Sequence, residues 1–340
     1  MLDILEYSRT TAADCTPHDV RWIPDSVRFV VLGATAKSTG RLSVYELSES
    51  GIMHLESTDR ENGLRCGTFG AHTLPDRLFA TGGFSGELEM WDLERLNKPR
   101  SVINAHDSAI NTIDGCGGGE NGIGAPEIVT GSRNGSVKVW DTRLNDAVAV
   151  FDSNGSATCE CWCVAFGNSF DNQERCVLAG YENGDVKMFD LRTGSIRYEE
   201  NVANGVCGVE FDRKDIPMNK FTAACLESQL VVFDARSEDN GHILRSLRHS
   251  MEIRTTIWGV RHLPQNREVS AVLLGDGSVA LYRYEYPANR KTESGALRRI
   301  LSKTIASQPI SSWDWHDDKR GLAVCTGFDQ SIHAVLAMGF

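Results

Sequence analysis

The sequence lacks long apolar runs. No stretch of its 340 residues approaches the roughly 18 apolar residues that a transmembrane helix needs. The first ten residues, MLDILEYSRT, show no basic region followed by an apolar run, so we expect no signal peptide. The ten cysteines lie mostly in apolar, strand-like segments rather than in a disulfide framework. Together these features predict a cytoplasmic protein with reduced thiols.

An excess of positive charge is also missing. The formal net charge is -11 and the sequence pI is about 5.3. This balance argues against nucleic acid or an anionic membrane as the main partner. Charged residues make up 24% and hydrophobic residues 41%, which is typical of a globular chain long enough to bury a core.

Common enzyme motifs are absent as well. There is no Gly-Lys dipeptide for a phosphate-binding loop and no His-Glu dipeptide for a zinc-protease helix. The run GGGENG at 117–122 formally fits G-x-G-x-x-G, but a strand-like segment follows it where a dinucleotide site needs a helix. We therefore predict that the protein is not an enzyme and has no catalytic or cofactor-binding residues.

The segment CECWC at 159–163 is the best candidate for a metal site. Strand alternation would place Cys159, Cys161 and Cys163 on one face. Zinc sites usually have C-x₂₋₄-C spacing and a second ligand pair, and no such pair is evident nearby. The sequence therefore predicts packed thiols here and no metal.

What the sequence does contain is a repeat. GSRNGSVKVWD, ending at Asp141, has counterparts ending at Asp92, Asp190 and Asp234. The residues before these aspartates are Trp91, Trp140, Phe189 and Phe233, at successive steps of 49, 49 and 44. The pattern extends to Tyr45 on one side and to Tyr282 and Val335 on the other, which makes seven copies. A period slightly above about 40–45 residues is that of WD repeats with long loops.

Each copy contains several short runs rich in valine, isoleucine and aromatics, bounded by glycine, asparagine and aspartate, as strands are. The turns RNGS and ENGD carry Asn-Gly, which suits tight hairpins because both residues tolerate positive φ. Seven small sheets arranged radially would bury their faces on one another and leave no long exposed edge. We therefore predict an all-β fold: a seven-bladed β-propeller of WD-repeat type, with four-stranded antiparallel blades.

The whole chain, 1–340, is predicted to be one domain. The blades are expected at approximately 12–47, 63–93, 105–141, 160–191, 204–235, 254–285 and 308–338. The segment LDILEY at 2–7 has a strand-like composition and precedes the first blade. We expect it to close the ring as the outer strand of the last blade, beside SIHAVLAM.

The blade ending at Asp141 resembles WD-repeat propellers most closely. His106, Thr130, Asn134 and Trp140 stand at the positions of the family's hydrogen-bonded tetrad, although the family usually has Asp where this chain has Asn134. The resemblance implies a structural role for these residues, with Trp140 packed between blades. The other blades are expected to lack the tetrad and to rely on apolar packing.

Several longer segments resemble WD-repeat proteins of the Monad type. They include GAPEIVTGSRNGSVKVWD at 124–141, NGVCGVEFDRKDIPMNK at 204–220 and DKRGLAVCTGFDQS at 318–331. The similarity spans nearly the whole chain. It implies a non-enzymatic adaptor in the cytoplasmic assembly of axonemal dyneins. It also implies, as partners, dynein chains and a co-chaperone complex of RuvB-like ATPases, a tetratricopeptide adaptor and a prefoldin-like module, with the chain monomeric by itself.

Aligning the first strand of each copy identifies a candidate partner-binding ring. The aligned positions are His18, Arg65, Asn111, Trp162, Cys207, Trp258 and Ser311. In a WD propeller they lie at the narrow face, around the mouth of the central channel, whereas the positions two residues later are expected to be buried. Tryptophan and arginine are typical interface anchors. Arg65 at the rim suggests an acidic or mixed-charge partner segment.

Two alternatives remain open. The charged loop FDRKD places Arg213, Lys214 and Asp215 together, either as a second partner-binding site or as a solvated turn. WDTR at 140–143 fits the WDxR pattern of substrate receptors for cullin-type ubiquitin ligases, which is the alternative function. Arginine often follows this aspartate in WD repeats for structural reasons, so the motif has a structural explanation too.

Overall fold

A computed structural model describes residues 3–72, 77–117, 122–152, 159–235, 243–252 and 254–339. Residue 2 of the predicted closing strand and residues 118–121 of the glycine-rich run lie outside these ranges. The strands form seven four-stranded antiparallel sheets, and the fold is the predicted seven-bladed β-propeller. The prediction of an all-β propeller with four-stranded blades is confirmed.

Within the described ranges, twenty-eight strands build the blades in chain order, starting with β1 (Asp3–Thr11). Blade 1 contains β2 (Cys15–Trp22), β3 (Arg28–Thr35), β4 (Gly40–Ser48) and β5 (Gly51–Arg60). Blade 2 contains β6 (Leu64–Thr68), β7 (Phe79–Gly83), β8 (Glu87–Trp91) and β9 (Ser101–Asn104). Blade 3 contains β10 (Ile110–Cys116), β11 (Glu127–Ser132), β12 (Val137–Asp141) and β13 (Ala147–Phe151). Blade 4 contains β14 (Cys161–Gly167), β15 (Cys176–Tyr181), β16 (Asp185–Asp190) and β17 (Ser195–Asn201).

The remaining three blades follow the same order. Blade 5 contains β18 (Val206–Phe211), β19 (Lys220–Cys225), β20 (Gln229–Ala235) and β21 (Ile243–Ser250). Blade 6 contains β22 (Ile257–Leu263), β23 (Asn266–Leu274), β24 (Ser278–Glu285) and β25 (Ala296–Thr304). Blade 7 contains β26 (Ile310–Trp315), β27 (Leu322–Gly327) and β28 (Ser331–Met338), and β1 is its fourth strand. The four strands of a blade are called a to d from the inside outward.

The fourth strands of blades 1 to 6 lie beyond the blade ranges predicted from the repeat. In blade 1, for example, the predicted range ends at 47 whereas β5 runs from Gly51 to Arg60. These outer strands are largely exposed, as in β9 and β17. An exposed strand carries little apolar alternation, so the pattern that marks the inner strands does not extend to it.

The hydrophobic core is divided among the seven contacts between blades. Each cluster of buried side chains joins two neighbours: Leu32 and Phe79 belong to the cluster between blades 1 and 2, and Phe151 stacks on Phe189 between blades 3 and 4. The cluster between blades 7 and 1 contains Val324 and Phe29, so the ring is closed by packing as well. Each sheet therefore buries both faces on its neighbours, as a radial arrangement requires.

The hairpin turns show why asparagine and glycine recur at these positions. Only the glycine has a positive φ, 85° at Gly135 and 91° at Gly184. Each asparagine instead accepts a hydrogen bond from the backbone two residues ahead: Asn134 from Ser136 N and Asn183 from Asp185 N, both at 3.0 Å. The asparagine side chain thus shapes the turn, and the glycine supplies the left-handed conformation.

Candidate protein-interaction surface

Strand direction decides which loops share a face. The strands of each blade are antiparallel. The start of strand a, the end of strand b, the start of strand c and the end of strand d therefore all lie at the same edge of the sheet. The connections from d to the next a, and from b to c, therefore lie on one face, which is called the narrow face below. The connections from a to b and from c to d lie on the opposite face.

A β-bulge interrupts strand a in all seven blades at the same place. The shifts in register fall between Pro17 and Asp19 in blade 1 and between Cys161 and Cys163 in blade 4. In every blade the residue left out of the pairing is the member of the predicted ring: His18, Arg65, Asn111, Trp162, Cys207, Trp258 and Ser311. A bulge re-aims a side chain, so the seven positions form a structural ring at the start of the innermost strands. The residues two positions later are buried, as Val20 and Trp313 illustrate.

Two members of the ring tie neighbouring blades together. His18 Nδ1 lies 2.9 Å from Leu64 O of blade 2, and Asn111 Nδ2 donates to Cys161 O of blade 4 at 3.1 Å. Burial lowers the pKa of His18, which keeps this imidazole neutral near pH 7. These two side chains already have structural partners within the ring.

An aromatic arc crosses the narrow face over four consecutive blades. The Trp258 ring of blade 6 meets Phe328 of blade 7 edge to face, with centroids 5.0 Å apart. His18 of blade 1 lies 6.5 Å from Phe328 and 5.9 Å from Phe84 of blade 2. Trp258 is 40% exposed and Phe84 is 46% exposed. A run of partly exposed aromatic rings is typical of an interaction surface.

Sequence reasoning missed Phe84 and Phe328. Each directly follows strand b of its blade. The backbone N–H of Phe84 donates to Gly63 O and that of Phe328 donates to Pro309 O, both at 3.0 Å. Each acceptor lies two positions before the ring member of its blade. The equivalent spacing in the two copies, TGGFSG and CTGFDQ, was visible in the sequence. Nothing in the spacing alone showed that the rings would meet His18 and Trp258.

Trp162, the other ring tryptophan, lies deeper than Trp258. It is half-buried against Gly205 of blade 5, where a Cβ would come within 2.7 Å of Trp162 Cζ3. Arg65, also half-buried, lies near His18, whose pKa its charge helps to lower. The geometry makes Trp258 the more accessible of the two proposed aromatic anchors.

The same bulge corrects one prediction about the cysteines. Cys161 packs in the cluster between blades 3 and 4, whereas Cys163 packs between blades 4 and 5, with its Sγ 3.3 Å from Val206 O. The expectation that simple alternation puts them on one face is wrong, because Trp162 is the extra residue between them.

The charged loop at 211–215 lies on the opposite face, in the a–b connection of blade 5. Arg213 forms a two-pronged ion pair with Asp215. Lys214 instead reaches Asp114 of blade 3, with its Nζ 2.7 Å from Oδ1, and also donates to Gly115 O at 3.1 Å. The two predicted partner-binding sites are therefore on different faces of the ring, and Lys214 is engaged within the molecule.

Charged side chains on strand a link neighbouring blades inside the channel. Asp114 accepts from Phe166 N at 2.8 Å and Asp314 accepts from Trp22 N at 2.8 Å, while Glu210 accepts from His262 N. Burial raises the pKa of Glu210 to about 7 and that of Asp314 to about 6, against the opposing effect of nearby arginines. These carboxyl groups serve the contacts between blades.

The predicted tetrad in blade 3 forms a continuous hydrogen-bonded chain. Trp140 Nε1 donates to Thr130 Oγ1 at 2.9 Å, and His106 Nε2 lies 2.8 Å from the same hydroxyl. The Ser136 hydroxyl connects His106 Nδ1, at 3.0 Å, to Asn134 Oδ1, at 2.7 Å. Burial lowers the pKa of His106 to about 4, so the imidazole is neutral. Ser136 is a member of this network that the sequence comparison did not single out.

Other blades keep parts of this polar arrangement, contrary to the expectation of apolar packing alone. In blade 2, Trp91 Nε1 donates to Thr81 Oγ1 at 3.0 Å. In blade 7, Asp329 accepts from the backbone and hydroxyl groups of Ser307 and Ser331. Burial opposes ionisation of Asp329, but these hydrogen bonds outweigh it and lower its pKa to about 2.

The WDTR motif places Arg143 beside Asp141. The guanidinium donates from Nε to Oδ1 at 2.9 Å and from Nη2 to Oδ2 at 2.6 Å. These bonds lower the pKa of Asp141, while the arginine side chain remains 66% exposed. The pair thus has a local structural role, and its outer surface faces solvent on the opposite face of the ring.

Within the described ranges, no group of three or more histidine, cysteine, aspartate or glutamate side chains is arranged to hold a metal ion. In the same part of the chain, no helix combines the length and apolar character needed to cross a membrane.

Comparisons with known proteins agree on one family. Residues 97–141 match the WD domain, G-beta repeat. Over 328 residues the chain is 48% identical to dynein axonemal assembly factor 10 of Chlamydomonas reinhardtii, covering 93% of this chain and 92% of that relative. It is 44% identical to the Homo sapiens protein of the same name over 332 residues, covering 94% and 93%. The Dictyostelium discoideum relative is 26% identical over 367 residues, covering 98% and 96%.

Proposed function

Since the chain belongs to the dynein axonemal assembly factor 10 family of WD-repeat proteins, we propose that it acts as a non-enzymatic adaptor in dynein assembly. In this proposal the protein works in the cytoplasm. It joins dynein chains to a co-chaperone complex of RuvB-like ATPases, a tetratricopeptide adaptor and a prefoldin-like module. The chain itself is monomeric and binds its partners through the narrow face.

One observation carries the choice of surface: the ring member Trp258 is 40% exposed at the end of an aromatic arc. An indole in such a position can bury its apolar body against a partner and still offer its N–H as a donor. Trp162, half-buried on the same ring, adds a second aromatic anchor, and Arg65 adds a charged group at the rim. The polar members His18 and Asn111 hold the blades that present them.

The test is affinity purification from an extract of ciliated cells, followed by mass spectrometry. The double variant Trp162→Ala/Trp258→Ala, first shown to be folded by its melting curve, should lose RuvB-like ATPases and dynein chains. Removing a hot-spot side chain typically costs at least about 2 kcal/mol, or roughly 30-fold in affinity. The matched control is Ile123→Ala/Leu144→Ala, which removes two exposed apolar side chains from the opposite face and should keep the partners.

Retention of every partner by the double variant at wild-type levels would rule out the narrow face. Attention would then move to Arg213 and Asp215 on the opposite face. The WDTR alternative predicts a different result in the same experiment, namely a cullin adaptor that is recovered with the wild type and lost from Arg143→Ala.

A further inference from the structure

Charge is distributed unequally between the two faces of the ring. The d–a and b–c connections of the narrow face carry ten aspartates and glutamates but only three lysines and arginines. The described a–b and c–d connections of the opposite face carry twelve acidic and thirteen basic side chains. The acidic excess of the molecule is therefore concentrated where the aromatic arc lies.

Many of the narrow-face carboxylates face solvent. The exposed ones include Asp14, Glu61, Asp107, Glu182, Glu227 and Asp276. Among the described residues, no ion pair joins Glu61 or Glu182 to a basic side chain. Acidic side chains therefore outnumber basic ones on the face that carries the arc, which gives this face an excess of negative charge.

The basic groups on this face offset that charge only in part, although Lys37 and Arg254 are exposed. Arg133 is paired with Glu160, its Nε 3.0 Å from Oε1. Arg65 is half-buried, and the lowered pKa of His18 keeps that ring neutral. The acidic or mixed-charge partner suggested by Arg65 alone is therefore not the one that this face favours.

We propose that the narrow face is a docking surface for a lysine- and arginine-rich segment of a partner protein. The basic side chains lie over the rings of Trp258 and Phe84, and their charges meet the surrounding carboxylates. Aromatic rings attract cations through their faces, and the acidic rim steers a basic segment towards the channel mouth. This inference rests on the proposed function, because it specifies the partner chemistry of the same surface.

The test uses the full chain and three fluorescent 15-residue peptides, a probe length of about 50 Å when extended. All three peptides have leucine at every third position. The remaining positions are lysine and arginine in the basic peptide, aspartate and glutamate in the acidic peptide, and serine in the neutral peptide. Fluorescence anisotropy should show that the basic peptide binds most tightly. Its affinity should fall between about 50 mM and about 300 mM sodium chloride, because salt screens exposed charges.

Matched charge reversals then locate the site. Glu61→Lys/Glu182→Lys/Glu227→Lys on the narrow face should weaken binding of the basic peptide by about tenfold or more. Glu94→Lys/Asp146→Lys/Glu293→Lys makes the same change in net charge on the opposite face and should leave affinity within about twofold. Trp258→Ala should weaken binding without changing the preference for the basic peptide. The salt dependence of the wild type provides a readout should either triple variant fold poorly.

Two results would overturn the inference: equal or tighter binding of the acidic peptide, or equal weakening by the two triple variants. If Trp162→Ala/Trp258→Ala still lost its partners from the extract, the proposed function would stand without this partner chemistry. The converse result is also possible to recognise. The basic peptide would bind in a way that depends on Glu61, Glu182 and Glu227, while the tryptophan variant would retain its cellular partners. That result would support the inference and contradict the proposed function.

Discussion

Trp140 shows how one side chain serves both packing and hydrogen bonding. Its ring is 4% exposed and belongs to the cluster between blades 2 and 3. Its indole N–H donates to Thr130, which also contacts His106. The ring therefore fills the space between two sheets while its polar atom is satisfied within its own blade, as a buried indole requires.

Replacing Trp140 by alanine should destabilise the protein strongly. We expect Trp140→Ala to lower the free energy of unfolding by about 3–5 kcal/mol, through lost burial and the cavity that remains. Urea unfolding measures this cost. Trp258→Ala is the matched control, since its ring is 40% exposed, and it should cost less than half as much. A folded Trp140→Ala protein with wild-type stability would show that this ring is not part of the core.

At the scale of one element, β1 brings the two ends of the chain into one sheet. It pairs antiparallel with β28 from Asp3 opposite Met338 to Thr11 opposite Ser331. Ile4 is fully buried in the cluster between blades 6 and 7, and Ala12 N donates to Gln330 O at 2.8 Å just after the strand. Opening the ring at this blade would therefore break both a ladder and a packed contact.

Deleting residues 1–8 should lower the melting temperature. Burial of a side chain such as Ile4 alone contributes about 1.5–3 kcal/mol, and the ladder to β28 would be lost with it. We expect a decrease of at least about 3 °C in Tm, measured by differential scanning fluorimetry. Leu5→Ser keeps the strand and alters only an exposed side chain, so its Tm should stay near that of the wild type. An unchanged melting curve after the deletion would contradict a closing role for β1.

At the scale of the whole molecule, the blades are joined by two kinds of contact. Apolar clusters fill the spaces between sheets, and charged side chains on strand a bond to the next blade within the channel. Arg21 and Arg261 donate to backbone carbonyls, at 3.1 Å to Gly67 O and 3.3 Å to Trp313 O. Half-buried charge is costly, which is why Glu210 has a pKa raised to about 7.

This raised pKa predicts a specific pH dependence. Between about pH 4.5 and 7 the folded protein holds a proton on Glu210 that the unfolded chain releases, so the contribution of this group to stability falls as the pH rises. Glu210→Gln removes that titration, so the stability of the variant relative to the wild type should increase from pH 4.5 to 7.5. Urea unfolding at several pH values checks the slope. For the exposed control Glu94→Gln, the plot of unfolding free energy against pH should be parallel to that of the wild type. A parallel plot for Glu210→Gln as well would disprove the raised pKa of Glu210.

Much of the architecture could be predicted because it repeats locally. The spacing of Trp91, Trp140 and Phe189 indicates a blade-sized unit, and an isolated four-stranded sheet cannot bury both its faces. The alignment of strand a also identified the seven bulged positions, because equivalent positions of the repeat occupy equivalent places in the blades. It did not predict the bulge, which breaks the alternation of Cys161 and Cys163.

The sequence by itself determined the number of blades and the core role of Trp140, because these depend on short-range apolar patterns repeated along the chain. Only the tertiary structure decided the character of the narrow face. Phe328 lies far from His18 in the sequence and approaches it because the ring closes between blades 7 and 1, whereas Phe84 approaches His18 from the neighbouring blade 2. The acidic excess likewise becomes a surface property only when alternating strand directions sort the loops onto two faces.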